Sequence, residues 1–180
     1  MLKRSLKSFI IVSLLTLISS LPVFAQSECN RHVEPAGGFS MCIPEGWAMQ
    51  EKEGEKYKIL MATGSDTFNP NINFKSQVHT LSLNEYATAG VDYILNNLQS
   101  IGATSVTVVS RDSFTTETGI VAIRLIFRSE FKGLIVRTLQ YYFDAGENNK
   151  LIVTGTALEK DKVTLDPIFD RAVKTFRITK

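Results

Sequence analysis

The sequence predicts an α+β protein, an α/β/α sandwich whose central, mainly antiparallel sheet of about six to seven strands is covered by two main helices. Residues 106–158 hold four strand-like segments in succession, separated only by short turn sequences. Such short connections imply antiparallel pairing, because parallel neighbours need a long crossover. Two further segments, 83–101 and 165–176, carry apolar residues at helical spacing.

The chain opens with the pattern of a secretory leader. Lys3, Arg4 and Lys7 are basic with no acid among them, Phe9–Leu21 is an apolar run of 13 residues, and Pro22 ends it. Val23 and Ala25 place small residues three and one before a cut, so cleavage is expected between Ala25 and Gln26. The run is shorter than the about 20 residues a spanning helix needs. The domain organisation that follows is a cleaved signal peptide over 1–25, an irregular N-terminal segment over 26–38, and one domain over 39–180.

Removing the leader changes the charge. Subtracting its three bases from the 20 Lys and Arg leaves 17 against 18 Asp and Glu, a net charge of −1. A near-neutral chain without a Lys/Arg cluster has no electrostatic footprint for nucleic acid or for an anionic membrane. A chain of this size buries roughly 70% of its unfolded surface, so it needs no staple to fold.

Cys29 and Cys42 are the two cysteines, and export would place them where disulfides persist. A bridge between them closes a loop of about 14 residues and contributes about 3 kcal/mol in the chain-entropy model. Lipidation of Cys29 is disfavoured because Glu28 stands where a lipoprotein signal has a small residue. The chain has no N-x-S/T acceptor, a lean towards a bacterial source.

Within the domain, Phe39–Ile43 reads as a short strand stopped by Pro44-Glu45-Gly46-Trp47. Tyr57, Ile59 and Met61 alternate with Lys56 and Lys58, a half-exposed strand. A polar loop, Gly64–Asn69, leads to a strand over Asn71–Val78, where Ile72, Phe74 and Val78 oppose Asn71, Asn73, Lys75 and Gln77. Ser82 and Glu85 have capping-box spacing. Ala87, Val91, Ile94, Leu95, Leu98 and Ile101 then make one stripe, and Gly102 suits a helix terminus, so the helix is expected over Leu83–Ile101.

Val106–Phe114, 119–131, 134–143 and Leu151–Leu158 are the four successive strands, with Lys132-Gly133 turning the middle hairpin. The second helix is expected to start with Asp166 as N-cap and Pro167 as first residue, burying Leu165, Ile168, Phe169, Ala172, Val173 and Phe176.

Several of these segments, taken in order, match a known pattern. They are Phe39-Ser40-Met41-Cys42-Ile43 running into Pro44-Glu45-Gly46-Trp47, then Asn69-Pro70-Asn71-Ile72 and the helix start Leu83-Asn84-Glu85-Tyr86. Gln140-Tyr141-Tyr142 and a closing Phe169…Phe176-Arg177-Ile178 complete the set. Over residues 36–180 this resembles the PsbP-like superfamily, which includes photosystem II extrinsic proteins and DcrB-type envelope proteins. The resemblance implies an α/β/α sandwich and a non-enzymatic role in binding other proteins. It transfers no metal site, and the lipid-attachment cysteine of several bacterial relatives is missing. A nuclear Ran-binding role, also known in the superfamily, is incompatible with export.

No catalytic, cofactor or metal residues are expected. His32 and His79 are the only histidines, and no G-x-S-x-G, P-loop or G-x-G-x-x-G occurs. Ser76 is near His79 but shares the apolar face of its strand. Asp144, Glu147 and Asn148 read as a polar turn rather than a calcium cup. Trp47 reads as a core plug. Tyr141 and Tyr142 point to opposite faces of one strand, so at least one is expected to be partly exposed. Together with Arg124 and Arg128 they form the candidate binding surface, and Arg137 joins the arginines if the register aligns them.

The resulting expectation is an exported, non-catalytic accessory protein working through protein–protein contacts in the cell envelope, periplasmic or extracellular. In a photosynthetic source it would be a photosystem II accessory protein of the thylakoid lumen. The alternative is a small-molecule or lipid carrier in the periplasm, since helices over a sheet can enclose a pocket. The sequence identifies no individual partner. It implies no nucleic acid and no membrane span after cleavage.

Overall fold

Strand alternation decides which face of a sheet each residue serves, and here the two faces receive very different chemistry. The computed structural model describes residues 29–63 and 68–179. The expected leader and its expected Ala25/Gln26 cleavage site lie outside the described residues, as does the start of the Gly64–Asn69 loop.

The elements run β1 (Arg31–Glu34), β2 (Phe39–Cys42), β3 (Trp47–Gln50), β4 (Ile59–Ala62), β5 (Asn71–Val78), α1 (Leu83–Ser100), β6 (Ser105–Thr115), β7 (Val121–Phe131), β8 (Leu134–Asp144), β9 (Asn149–Leu158), a 3-10 turn (Glu159–Asp161), α2 (Lys162–Lys174) and β10 (Arg177–Ile178). Among the described residues the main sheet has seven strands in the order β3-β4-β5-β9-β8-β7-β6. Every pairing in it is antiparallel. The expected α+β sandwich is therefore present, with a small second sheet, β1-β2-β10, that the sequence did not announce.

The first face carries the main core. The register sets Ile72, Gly155, Leu139 and Ile126 in one row, and Phe74, Val153, Tyr141 and Arg124 in the next. α2 packs here through residues spaced i, i+3 and i+4: Asp166, Phe169 and Asp170. The Phe169 ring fills the place of a side chain at Gly155, where a Cβ would stand 2.7 Å from it. Burying such a ring is worth about 1.5–3 kcal/mol. Arg124 brackets it on one side, 2.7 Å from Asp170, and Arg137 on the other, 2.8 Å from Asp166. Tyr141 donates its hydroxyl to Asp170 at 2.7 Å. The small sheet covers the rest of this face, with Phe39 against Phe74 at 4.8 Å and against Phe176 at 5.6 Å.

The second face is graded. Ile123, Leu125 and Phe127 on β7 are apolar and lie opposite Tyr142, Gln140 and Thr138 on β8. These lie opposite Ile152, Thr154 and Thr156 on β9, and then Lys75, Asn73 and Asn71 on β5. α1 follows the apolar end and packs on β6, β7 and β8. Its capping box forms as expected, with Ser82 Oγ accepting from the Glu85 N–H and the Glu85 carboxylate accepting from the Ser82 N–H. Gly90 lets the helix approach closely, since a Cβ there would stand 2.4 Å from the Tyr142 hydroxyl.

Three sequence expectations need correction. Residues 26–38 are not wholly irregular: Arg31–Glu34 is a strand, and Pro35, Gly37 and Gly38 turn a hairpin closed by Gly37 N–H to Glu34 O at 3.2 Å. A four-residue strand is too short to show a period, but the Cys29–Cys42 disulfide ties it to β2. Trp47 opens the edge strand β3 rather than ending a turn, and its half-buried ring meets Phe169 edge-on at 5.9 Å, in the role of core plug. Finally, α2 starts at Lys162, not Pro167. The Asp166 carboxylate is engaged by Arg137 and does not cap backbone N–H groups. The 3-10 turn winds the chain into the helix, leaving Pro167 inside it.

The contact between Phe169 and Gly155 can be tested. Gly155→Ala overpacks it and should destabilise the protein by about 1–3 kcal/mol. The urea midpoint should then fall with no change in the slope of the transition.

Candidate functional site

Because α1 covers only the β6–β8 side, the polar half of the second face lies open beside it. The result is a trough of about 870 Å³. Its floor is the second half of β5 with Ile152 and Thr154 of β9 and Gln140 and Tyr142 of β8. α1 forms one wall with Tyr86, Gly90, Tyr93 and Ile94, and the β3–β4 loop at Gly54–Lys56 forms the opposite rim.

Two tyrosine–glutamine pairs organise the floor. Tyr86 donates its hydroxyl to Gln77 Oε1, and Tyr142 donates to Gln140 Oε1 at 2.5 Å. With each glutamine oxygen engaged, the amide NH₂ groups remain as donors. Gln140 Nε2 reaches Thr154 Oγ1 at 3.4 Å, a long bond that leaves it competent for a ligand. Two cations border the site. Lys75 Nζ stands 5.7 Å over the Tyr93 ring, and Lys56 Nζ donates to Ser76 Oγ at 3.1 Å. Tyr93 itself is 60% exposed.

His79 lines one end, where its Nδ1 accepts from the Leu81 N–H at 3.2 Å and its ring lies 5.2 Å from that of Tyr86. Ser76 is held by the Tyr57 hydroxyl at 2.6 Å and has no histidine partner. Among the described residues, no three His, Cys, Asp or Glu side chains come together as metal ligands. His32 lies away from the trough, 3.6 Å from Glu34.

The candidate surface read from sequence is largely interior. Tyr141 and Tyr142 are 0% and 1% exposed, because both faces of β8 are covered at that point. Arg124 is committed to Asp170 and Asp112. Arg128 and Arg137 are direct cross-strand partners, so the arginines do share a face, but Arg137 is buried against Asp166 and Glu159. Arg128 alone is exposed. Tyr142 reaches the site only through its hydroxyl. The trough residues had a partial signal in the sequence, the run of polar Asn71, Asn73, Lys75 and Gln77. Nothing local told that α1 would leave them uncovered.

Burial shifts the phenols. Tyr86, Tyr141 and Tyr142 have pKa values raised above the usual tyrosine range, chiefly by desolvation; Asp170 adds to the effect at Tyr141 and Tyr86 at Tyr142. A group whose folded pKa is raised contributes stability fully present below its unfolded pKa, near 10, and lost as pH rises through the folded value. An alkaline absorbance titration should therefore leave three of the five tyrosines protonated past pH 10. They should ionise together with unfolding.

Neither a family model nor a curated protein sequence matches this chain. Solved structures do. Cyanobacterial PsbP (CyanoP) from Synechocystis aligns over 82% of this chain and 91% of its own at 14% identity, with a TM-score of 0.63. The Saccharomyces cerevisiae Ran-binding protein Mog1p covers 83% and 95% at 10% identity, with a TM-score of 0.59. LpqN of Mycobacterium tuberculosis, a protein involved in cell envelope biogenesis, covers 79% and 83% at 14% identity, with a TM-score of 0.58. The chain has the PsbP-like fold.

Proposed function

We propose that this chain is an exported, non-catalytic accessory protein that binds another protein of the cell envelope through the trough beside α1. The trough's composition carries the reading. The exposed Tyr93 ring supplies rigid amphipathic contact area, amides and hydroxyls supply adaptable hydrogen bonds, and acids are scarce, which is the chemistry of a protein-recognition surface. Export is supported by the leader pattern at residues 1–25 and by the Cys29–Cys42 disulfide. No described helix is long and apolar enough to cross a membrane.

A small-molecule carrier is the second reading, because about 870 Å³ lies within the size range of ligand sites. A lipid tail is a poor occupant: the floor is amide- and hydroxyl-lined and open to water, so an alkyl chain would leave polar groups unpaired.

Pull-down from native envelopes, using the protein with an N-terminus at Gln26, tests the proposal. Tyr93→Ala should weaken partner capture at least about tenfold, a typical loss for an interface anchor, with the melting temperature unchanged. Equal capture by wild type and variant would overturn it, and a small molecule co-purifying with wild type alone would favour the carrier.

A further inference from the structure

The floor of the trough ends on a strand edge with no neighbour. β9 pairs β5 along its length, from Asn71 to Val78. On the other side β4 pairs it only at Ile72 and Asn71. Past that point alternate β5 residues turn their N–H and C=O groups away from β9, and among the described residues no backbone group meets them. Asn73–Val78 thus offers about 20 Å of strand edge.

We infer that this edge receives an extended segment of a partner protein, about six residues long, which joins the sheet as an added strand. The inference rests on the protein-binding reading of the trough and names the form of the partner. The other edges of the main sheet are less suited. β3 has four residues, and β6 carries a register shift between Val108 and Ser110 that breaks its ladder.

Proteins commonly guard open edges with lysines. Here Lys75 is drawn aside over the Tyr93 ring, while Lys56 and the Tyr57 hydroxyl meet the edge only through the Ser76 side chain, so an incoming segment has to displace the exposed Lys56. The geometry also favours peptide over saccharide. Outward main-chain groups repeat every second residue, about 6.5–7 Å, which is the repeat of an extended peptide laid alongside. Main-chain bonds give such a complex its affinity, while alternate side chains set its specificity. Tyr93, exposed on the α1 wall, is placed to meet those side chains.

The probe is a set of linear heptapeptides selected from a random displayed library on the full mature protein, followed by amide hydrogen exchange and an N-methyl scan. Alternate amides within Asn73–Val78 should slow about tenfold or more on binding. N-methylation at every second peptide position should weaken binding by about tenfold or more, with little effect between. A scan without that two-residue period, peptides that leave these amides unchanged, or a glycan array that yields the only trough ligands would each overturn the inference. The native partner separates the two levels of the argument. If its capture depends on Tyr93 but leaves the β5 amides exchanging as before, strand addition falls and the binding role stands. If its capture ignores Tyr93, the binding role falls as well.

Discussion

The seating of Phe169 over Gly155 is the constraint on which the rest of the structure depends. A strand glycine normally weakens a sheet. In this protein it makes the socket into which α2 drops a ring, and the ring fixes the helix along the sheet. Arg124 and Arg137 then meet Asp170 and Asp166, one pair on each side of the ring. Partly buried charge pairs of this kind add little net stability but penalise misplacement, because a slipped helix would leave a desolvated charge without its partner. Hydrophobic burial supplies the energy of docking, and the paired arginines supply its register.

That arrangement uses up one face of the sheet and leaves function to the other. α2 and the small sheet fill the first face from Phe114 to Phe39. On the second face the apolar patch around Leu125, Phe127 and Tyr142 is large enough to hold α1 but ends midway across. The remaining half is amide and hydroxyl, adequately solvated without a cover. A single helix on a sheet seven strands wide therefore creates one wall of a trough, and the β3–β4 loop at Gly54–Lys56 supplies the other. Separately, β4 pairs β5 only at Asn71 and Ile72, which leaves the second half of β5 with one neighbour instead of two.

Long periodic elements were legible in the sequence. The α1 stripe, its Ser82–Glu85 capping box, the β7–β8 hairpin at Lys132-Gly133 and the disulfide pair all follow from local chemistry, and all are present. Local signals failed where a tertiary contact outweighed them. Asp166-Pro167 is a good helix start in isolation, but Arg137, far away in sequence, claims the carboxylate. Tyr141 and Tyr142 alternate as expected, yet β8 is central and roofed on both sides, so alternation did not mean exposure. The trough was invisible for the same reason: polar residues on β5 look alike whether they face bulk water or the flank of a helix.

The central claim is that one face of the sheet is closed while the other leaves the outer edge of β5 open. Native-state amide hydrogen exchange on the free protein addresses it most directly. Amides of β8 and β9 should exchange only through global unfolding, whereas Asn73–Val78 should alternate, with inward amides slow and outward ones close to the unprotected rate. Uniform slow exchange along all of β5 would contradict the account, because it would mean that something already covers that edge.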